Sequence, residues 1–176
     1  MRRLFLGLVL LVLVGSPCLA QVSLQELDGK TANLETLFAR AQTKAVVLVV
    51  WCSHCGSCRS LEEELDSYRE TVSPEVRVFA VAPHPADSPQ RIRSFLKEKE
   101  LGLPVLVDST QAFLRLYRID RTTTALVFDR DKKLRYFGPF KSEDQDFAKE
   151  AVKRVVRGAQ VETPNRALKG CPIPTH

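Results

Sequence analysis

Along this chain, stretches where apolar residues run together alternate with stretches where they return every three or four positions. Val22 to Asp28 alternates in the manner of a short strand and ends at the Asp28-Gly29 turn signal, after which Asn33 to Ala41 is predicted as a helix. Ala45 to Trp51 is nearly all β-branched and apolar, the pattern of a strand buried on both faces of a sheet. From Gly56 to about Thr71 the period changes, with Leu61, Leu65 and Tyr68 at helical spacing among acidic and basic residues. Glu75 to Ala82 predicts a second buried strand. Ser88-Pro89 predicts the N-cap and first turn of a helix reaching about Glu100. Leu103 to Val107 follows as a strand and Ser109 to Tyr117 as a short helix. Ala125 to Asp129 and Leu134 to Phe140 make a hairpin through Asp129-Arg130-Asp131-Lys132. Ser142 to Arg157 closes as an amphipathic helix capped by Ser142 and stopped by Gly158. Strand and helix alternate and a hairpin follows, so the pattern predicts an α/β sandwich whose central mixed sheet carries helices on both faces.

The first twenty residues stand apart. Met1-Arg2-Arg3 precedes an unbroken apolar run from Leu4 to Val14 and then Gly15-Ser16-Pro17-Cys18-Leu19-Ala20, which has the form of a cleaved signal peptide over residues 1–20. The run is well short of the roughly 20 residues that span a bilayer. Lipid attachment at Cys18 is the rival reading, and Pro17 fits it poorly. The expectation is a periplasmic or secreted protein with cleavage near Ala20, a single domain over 21–158, and a C-terminal tail over 159–176 that carries Cys171 and three prolines. Charge adds little. Losing Arg2 and Arg3 takes the formal net charge from +5 to +3, too small an excess to argue for nucleic acid or an anionic membrane surface. No membrane span is expected in the mature chain, and a monomer is expected.

Export changes the meaning of the cysteines, because disulfides form and persist outside the cytosol. Cys52, Cys55, Cys58 and Cys171 remain after cleavage. The first three sit where the buried strand gives way to a helix. The unpaired N–H groups and positive end of a helix stabilise a thiolate, lowering its pKa from about 8.5 to roughly 3.5–7.5. In Cys55-Gly56-Ser57-Cys58 the first sulfur would lie exposed at the helix start, with Gly56 letting a partner chain approach. The second would lie one turn in, shielded and near enough to resolve a mixed disulfide.

The run from Ala45 through Val-Val-Leu-Val-Val-Trp-Cys-Ser-His-Cys-Gly-Ser-Cys to Arg59 resembles the thioredoxin-like superfamily, nearest the exported TlpA/ResA type and the redoxin (AhpC/TSA-like) branch. Leu24 to Leu37 resembles the lead-in of that branch, Tyr117 to Asp129 its segment before the hairpin, and Gly170-Cys171-Pro172-Ile173 a tail of some redoxin-like exported proteins. The resemblance implies a thioredoxin-like α/β/α sandwich and a thiol–disulfide oxidoreductase acting through a redox-active disulfide with no dissociable cofactor. The implied partners are exported proteins with thiols or disulfides and a membrane or periplasmic electron donor. It assigns catalysis to Cys55 and Cys58. It also places Thr123 where the superfamily usually has a substrate-docking cis-proline, and Ser57 where thioredoxin has proline. Trp51-Cys52-Ser53-His54-Cys55 resembles the Cys-Pro-His-Cys of DsbA-like oxidants, so Cys52 with Cys55 is the alternative pair. Counting from the strand start favours Cys55 with Cys58.

Other roles stay open at this level. Cys52 is either a small residue ending a strand or a relay thiol. Cys171 is tied to Cys52, acts as a remote resolving thiol, or anchors the tail. His54 tunes the thiolate if it lies beside Cys55, and Trp51 packs next to the site. His84 and His176 are assigned no role. Three cysteines at this spacing with a distant Cys171-Pro172 also match iron–sulfur ligation, which export disfavours, and zinc or copper capture by the cysteines and His54 defines a carrier alternative. No metal is assigned. A peroxidase of AhpC/TSA type is the other enzyme reading, but its Pro-x-x-x-Thr/Ser-x-x-Cys signature is missing: Trp51 stands seven residues before Cys58 and Cys55 three before it.

Overall fold

The computed structural model describes residues 22–142, 145–161 and 168–174. The segment expected to be a signal peptide and His176 lie outside them. In chain order the elements are β1 (Leu24–Glu26), β2 (Thr31–Ala32), α1 (Leu34–Leu37), β3 (Ala45–Val50), a 3₁₀ turn (Gly56–Cys58), α2 (Arg59–Thr71), β4 (Val76–Ala82), α3 (Pro89–Glu98), β5 (Val105–Val107), α4 (Ala112–Tyr117), β6 (Thr124–Asp129), β7 (Leu134–Pro139) and α5 (Phe147–Val156).

The seven strands form one mixed sheet in the order β2-β1-β5-β4-β3-β6-β7. β3 runs parallel to β4 and β4 to β5, while β6 pairs antiparallel with β3 and with β7. All six residues of β3 are buried, as its unbroken apolar run requires of a strand with neighbours on both edges and helices on both faces. Its alternating side chains feed two cores. Val47 and Val49 join Leu61, Leu65, Ile92, Ala148 and Val152 from α2, α3 and α5. Val46, Leu48 and Val50 join Leu34, Leu37, Phe113 and Leu114 from α1 and α4.

Local chemistry sets most boundaries. Asn33 and Thr36 cap α1 reciprocally, and the Ser88 side chain accepts from Arg91 N–H ahead of Pro89. Gly158 takes φ +69 just past α5. The last helix departs from expectation, because it starts at Phe147 and Ser142 does not cap it. Phe140, fully buried, accepts from Ala148 N–H at 3.1 Å, and Ser142 N–H bonds to Gln145 O at 2.8 Å. The exit from β7 is therefore anchored by a core aromatic, and the chain turns before it can wind.

Candidate active site

The site forms where β3 leaves the sheet. Trp51 N–H still bonds to Val81 O at 2.8 Å, but its ring turns into the core against Phe95, 5.4 Å between centroids. Its indole N–H donates to Glu62 Oε1 at 3.2 Å. Burial raises the Glu62 pKa, and the bond from Trp51 opposes that rise. Two successive turns follow, with Cys55 N–H bonding to Cys52 O at 3.4 Å and Cys58 N–H to Cys55 O at 3.0 Å. They wind the chain into the 3₁₀ turn and then α2, so Cys58 stands at the N-cap of α2 and Cys55 at that of the turn.

The sulfurs have different surroundings. Cys55 is bonded to Cys171, with 6.3 Å between Cα atoms and 116 residues between them in sequence. Cys58, the partner expected from spacing, carries a free thiol with no solvent exposure, and Cys52 is a free buried thiol beside it. Burial pushes the Cys58 pKa up, and pushes that of Cys52 up to about 11. Both stay protonated at neutral pH in this state.

Thr122 ties the cysteines together. Its Oγ1 lies 3.3 Å from Cys55 Sγ and accepts from Cys171 N–H at 2.9 Å, and its side chain is near enough to Cys58 to oppose the rise that burial gives that thiol's pKa. The expected docking residue was its neighbour Thr123. That residue has φ +64, donates its N–H to Val50 O at 2.7 Å, and turns its hydroxyl to Lys169 O. No cis peptide bond occurs among the described residues. Thr123 thus ties the loop to β3 and to the tail, and Thr122 meets the sulfurs.

His54 turns toward the loop at 84–87. Its ring meets His84 edge-on at 4.2 Å, with the two Nε2 atoms 3.4 Å apart, and its Nδ1 lies 3.6 Å from Asp87 Oδ1. Asp87, buried, also accepts from Ser53 Oγ at 2.5 Å and Ser53 N–H at 3.3 Å. His84, assigned no role from sequence, is therefore part of the site's rim. Among the described residues, Cys52, His54 and Asp87 each bring one ligand atom within 4.8 Å of the others, so these three could share a cation. The hydrogen bonds favour a different use. Ala86 N–H donates to His84 Nδ1 at 3.1 Å, which leaves the proton of a neutral ring on Nε2, facing His54 Nε2. His54 then carries its own proton on Nδ1, toward Asp87, and the pair braces the loop after Cys52.

Sequence reasoning missed Thr122, Asp87, His84 and Glu62. Glu62 left a signal, because it falls four residues after Cys58 in the same stripe as Leu61 and Leu65. The other three arrive from two distant loops, His84 and Asp87 from the one after β4 and Thr122 from the one before β6, and left none.

The family model described as AhpC/TSA matches residues 15–137, well over half of the chain, and Cys171 lies beyond the matched span. The chain is 26% identical over 118 residues to the thiol-disulfide oxidoreductase YkuV of Bacillus subtilis, covering 64% of this chain and 80% of that protein. Among solved structures it resembles hypothetical protein SMc02350 of Sinorhizobium meliloti, with TM-score 0.72, 20% identity, and 88% and 91% of the two chains covered. It also resembles the pneumococcal exposed lipoprotein thioredoxin Etrx1 of Streptococcus pneumoniae, with TM-score 0.60, 23% identity, and 75% and 98% covered. With a thioredoxin-like mixed sheet that hands its central strand over to a cysteine-bearing helix, the chain belongs to the AhpC/TSA family.

Proposed function

We propose that this chain is an exported thiol–disulfide oxidoreductase in which Cys55 is the exchanging sulfur and Cys58 the resolving thiol. The observation that carries the reading is the position of Cys55: already in a disulfide and only 5% exposed, because the tail covers the face expected to be open, it has Thr122 beside it, and Thr122 also neighbours a wholly buried thiol one turn deeper. When reduced, Cys55 attacks one sulfur of a partner's disulfide as a thiolate, forms a mixed disulfide, and releases the partner's other sulfur, which takes up a proton. Cys58 then gives up its proton, bonds to Cys55, and frees the partner's remaining thiol. The partner gains two electrons and the Cys55/Cys58 pair loses two. No dissociable cofactor enters.

The relative named as a thiol-disulfide oxidoreductase supports this activity, and the basic, apolar and small-residue segments ahead of Gln21 support export. Among the described residues no helix is long and apolar enough to cross a membrane. The partners that fit are exported proteins carrying thiols or disulfides and an electron donor in the same compartment, met by a monomer. Insulin reduction with dithiothreitol as donor tests the assignment. Turnover should survive Cys52→Ser and fall to the uncatalysed level in Cys55→Ser. The opposite result would move the centre to Cys52.

A further inference from the structure

The tail from Lys169 to Pro174 is docked in extended form along Asp120–Thr122 through a single isolated bridge. Cys171 O accepts from Thr122 N–H at 3.0 Å, Ile173 N–H donates to Asp120 O at 2.9 Å, and Pro172 forms an antiparallel bridge with Arg121. Residues alternate as in a sheet: Cys171 and Ile173 face inward while Pro172 is exposed. Ile173 is only 7% exposed and joins the apolar cluster that holds Phe113, Leu114 and Ile119. The buried Gln111 donates its amide to Pro174 O at 2.7 Å, and Arg121 donates to Gly170 O at 3.2 Å. Gly170 takes φ +143 and passes so close that an added Cβ would lie 2.1 Å from Thr122 O. At its centre, Cys171 is bonded to the sulfur assigned above to exchange.

We propose that Lys169–Pro174 is a tethered occupant of the site through which partner chains reach Cys55, and that its register states the partner's chemistry: an extended protein segment with an aliphatic residue two positions after its cysteine. The inference rests on the reading of Cys55 as the exchanging sulfur. Main-chain pairing to Asp120 and Thr122 is available to any extended chain, whereas the pocket filled by Ile173 selects among side chains. While the tail is linked, Cys55 is nearly closed to solvent, and an incoming chain competes with an intramolecular one at high effective concentration. A partner thiolate attacks Cys55 Sγ. A bond forms between those two sulfurs, the Cys55–Cys171 bond breaks, and Cys171 leaves as a thiolate that takes up the proton the partner released. One disulfide is consumed and one is made.

The test offers the oxidised chain two reduced peptides, Gly-Cys-Pro-Ile-Pro and Gly-Cys-Pro-Asp-Pro, and measures the mixed disulfide at Cys55 by mass spectrometry after acid quenching. The first peptide should be captured about tenfold or more over the second, the least that burying one aliphatic side chain provides. In Ile173→Asp the tail is released, so capture of both peptides should accelerate while their ratio persists. Equal capture of the two peptides overturns the inference, and so does an Ile173→Asp chain that reacts no faster than its parent. A Cys55 that forms a mixed disulfide with neither peptide nor glutathione overturns the underlying assignment as well, which separates the two failures.

Discussion

Cys58 follows Cys55 by one turn and Cys171 is bonded to it, and the two are held in different ways. Cys58 sits at the head of α2, whose Leu61 and Leu65 are locked into the core shared with β3, α3 and α5. Cys171 sits on a tail held by a short set of hydrogen bonds, one buried isoleucine and the disulfide itself. Moving the first would require loosening the core, whereas moving the second requires only local release, and local openings draw on the least stable parts of a structure. On the proposed mechanism, Cys55 would then have one fixed partner and one removable partner, with Thr122 close to all three cysteines.

The largest effect that would break this contrast is an exchange of roles. Cys58→Ser should stop insulin turnover and accumulate a mixed disulfide at Cys55, while Cys171→Ser should turn over faster than its parent because its tail no longer covers the site. Finding the trapped species in Cys171→Ser would invert the picture. Gly170→Ala comes next. It places a side chain against Thr122 O at a backbone angle that residues with a Cβ rarely adopt, at a cost of about 1–3 kcal/mol. The equilibrium for reducing the Cys55–Cys171 bond with dithiothreitol should shift toward the dithiol by about five- to 150-fold, and an unchanged equilibrium would mean that the tail's path contributes nothing.

Glu64 tests the fixed side. Burial alone would raise its pKa, but the ammonium groups of Lys141 and Lys149 outweigh that and hold it below its ordinary value of 4.5. A depressed carboxylate pKa gives stability that is present above 4.5 and lost as pH falls through the folded-state value. Glu64→Gln should therefore cost about 1 kcal/mol at neutral pH and progressively less in acid, read by denaturant unfolding, with no change in tail opening. The smallest effect concerns the buried thiol. Burial is the main cause of the raised Cys58 pKa and the Glu62 charge adds to it, so Glu62→Gln should lower the Cys58 titration midpoint, followed by thiolate absorbance in the reduced Cys52→Ser background. A midpoint that rises would show that Glu62 is not charged beside it.

Much of the frame was legible from one residue to the next. The apolar run of β3, the helical stripe of α2 and the Ser88-Pro89 start of α3 each declare their state through period and cap chemistry within a few positions. The start of α5 was not legible, because Ser142 has the right side chain for a cap, and it is the burial of Phe140 that turns the chain first. In the site, the same division holds. Three cysteines at a strand–helix junction announce sulfur chemistry, but Thr122 and Thr123 are indistinguishable until β6 is paired with β3 and one of them faces the sulfurs.

By itself, then, the order of residues determined most of the strand and helix pattern, the strand–helix junction that carries Cys55 and the depth of Cys58 one turn on, because each depends on neighbours a few positions apart, whereas the burial of Cys55 under the tail does not. Tertiary structure alone decided that Cys171 joins Cys55, that Asp87 and His84 brace the loop after Cys52, and that Ile173 seats the tail. Those contacts join residues some 30 to 116 positions apart, and no local periodicity encodes which distant loop a folded sheet will bring to the end of its central strand.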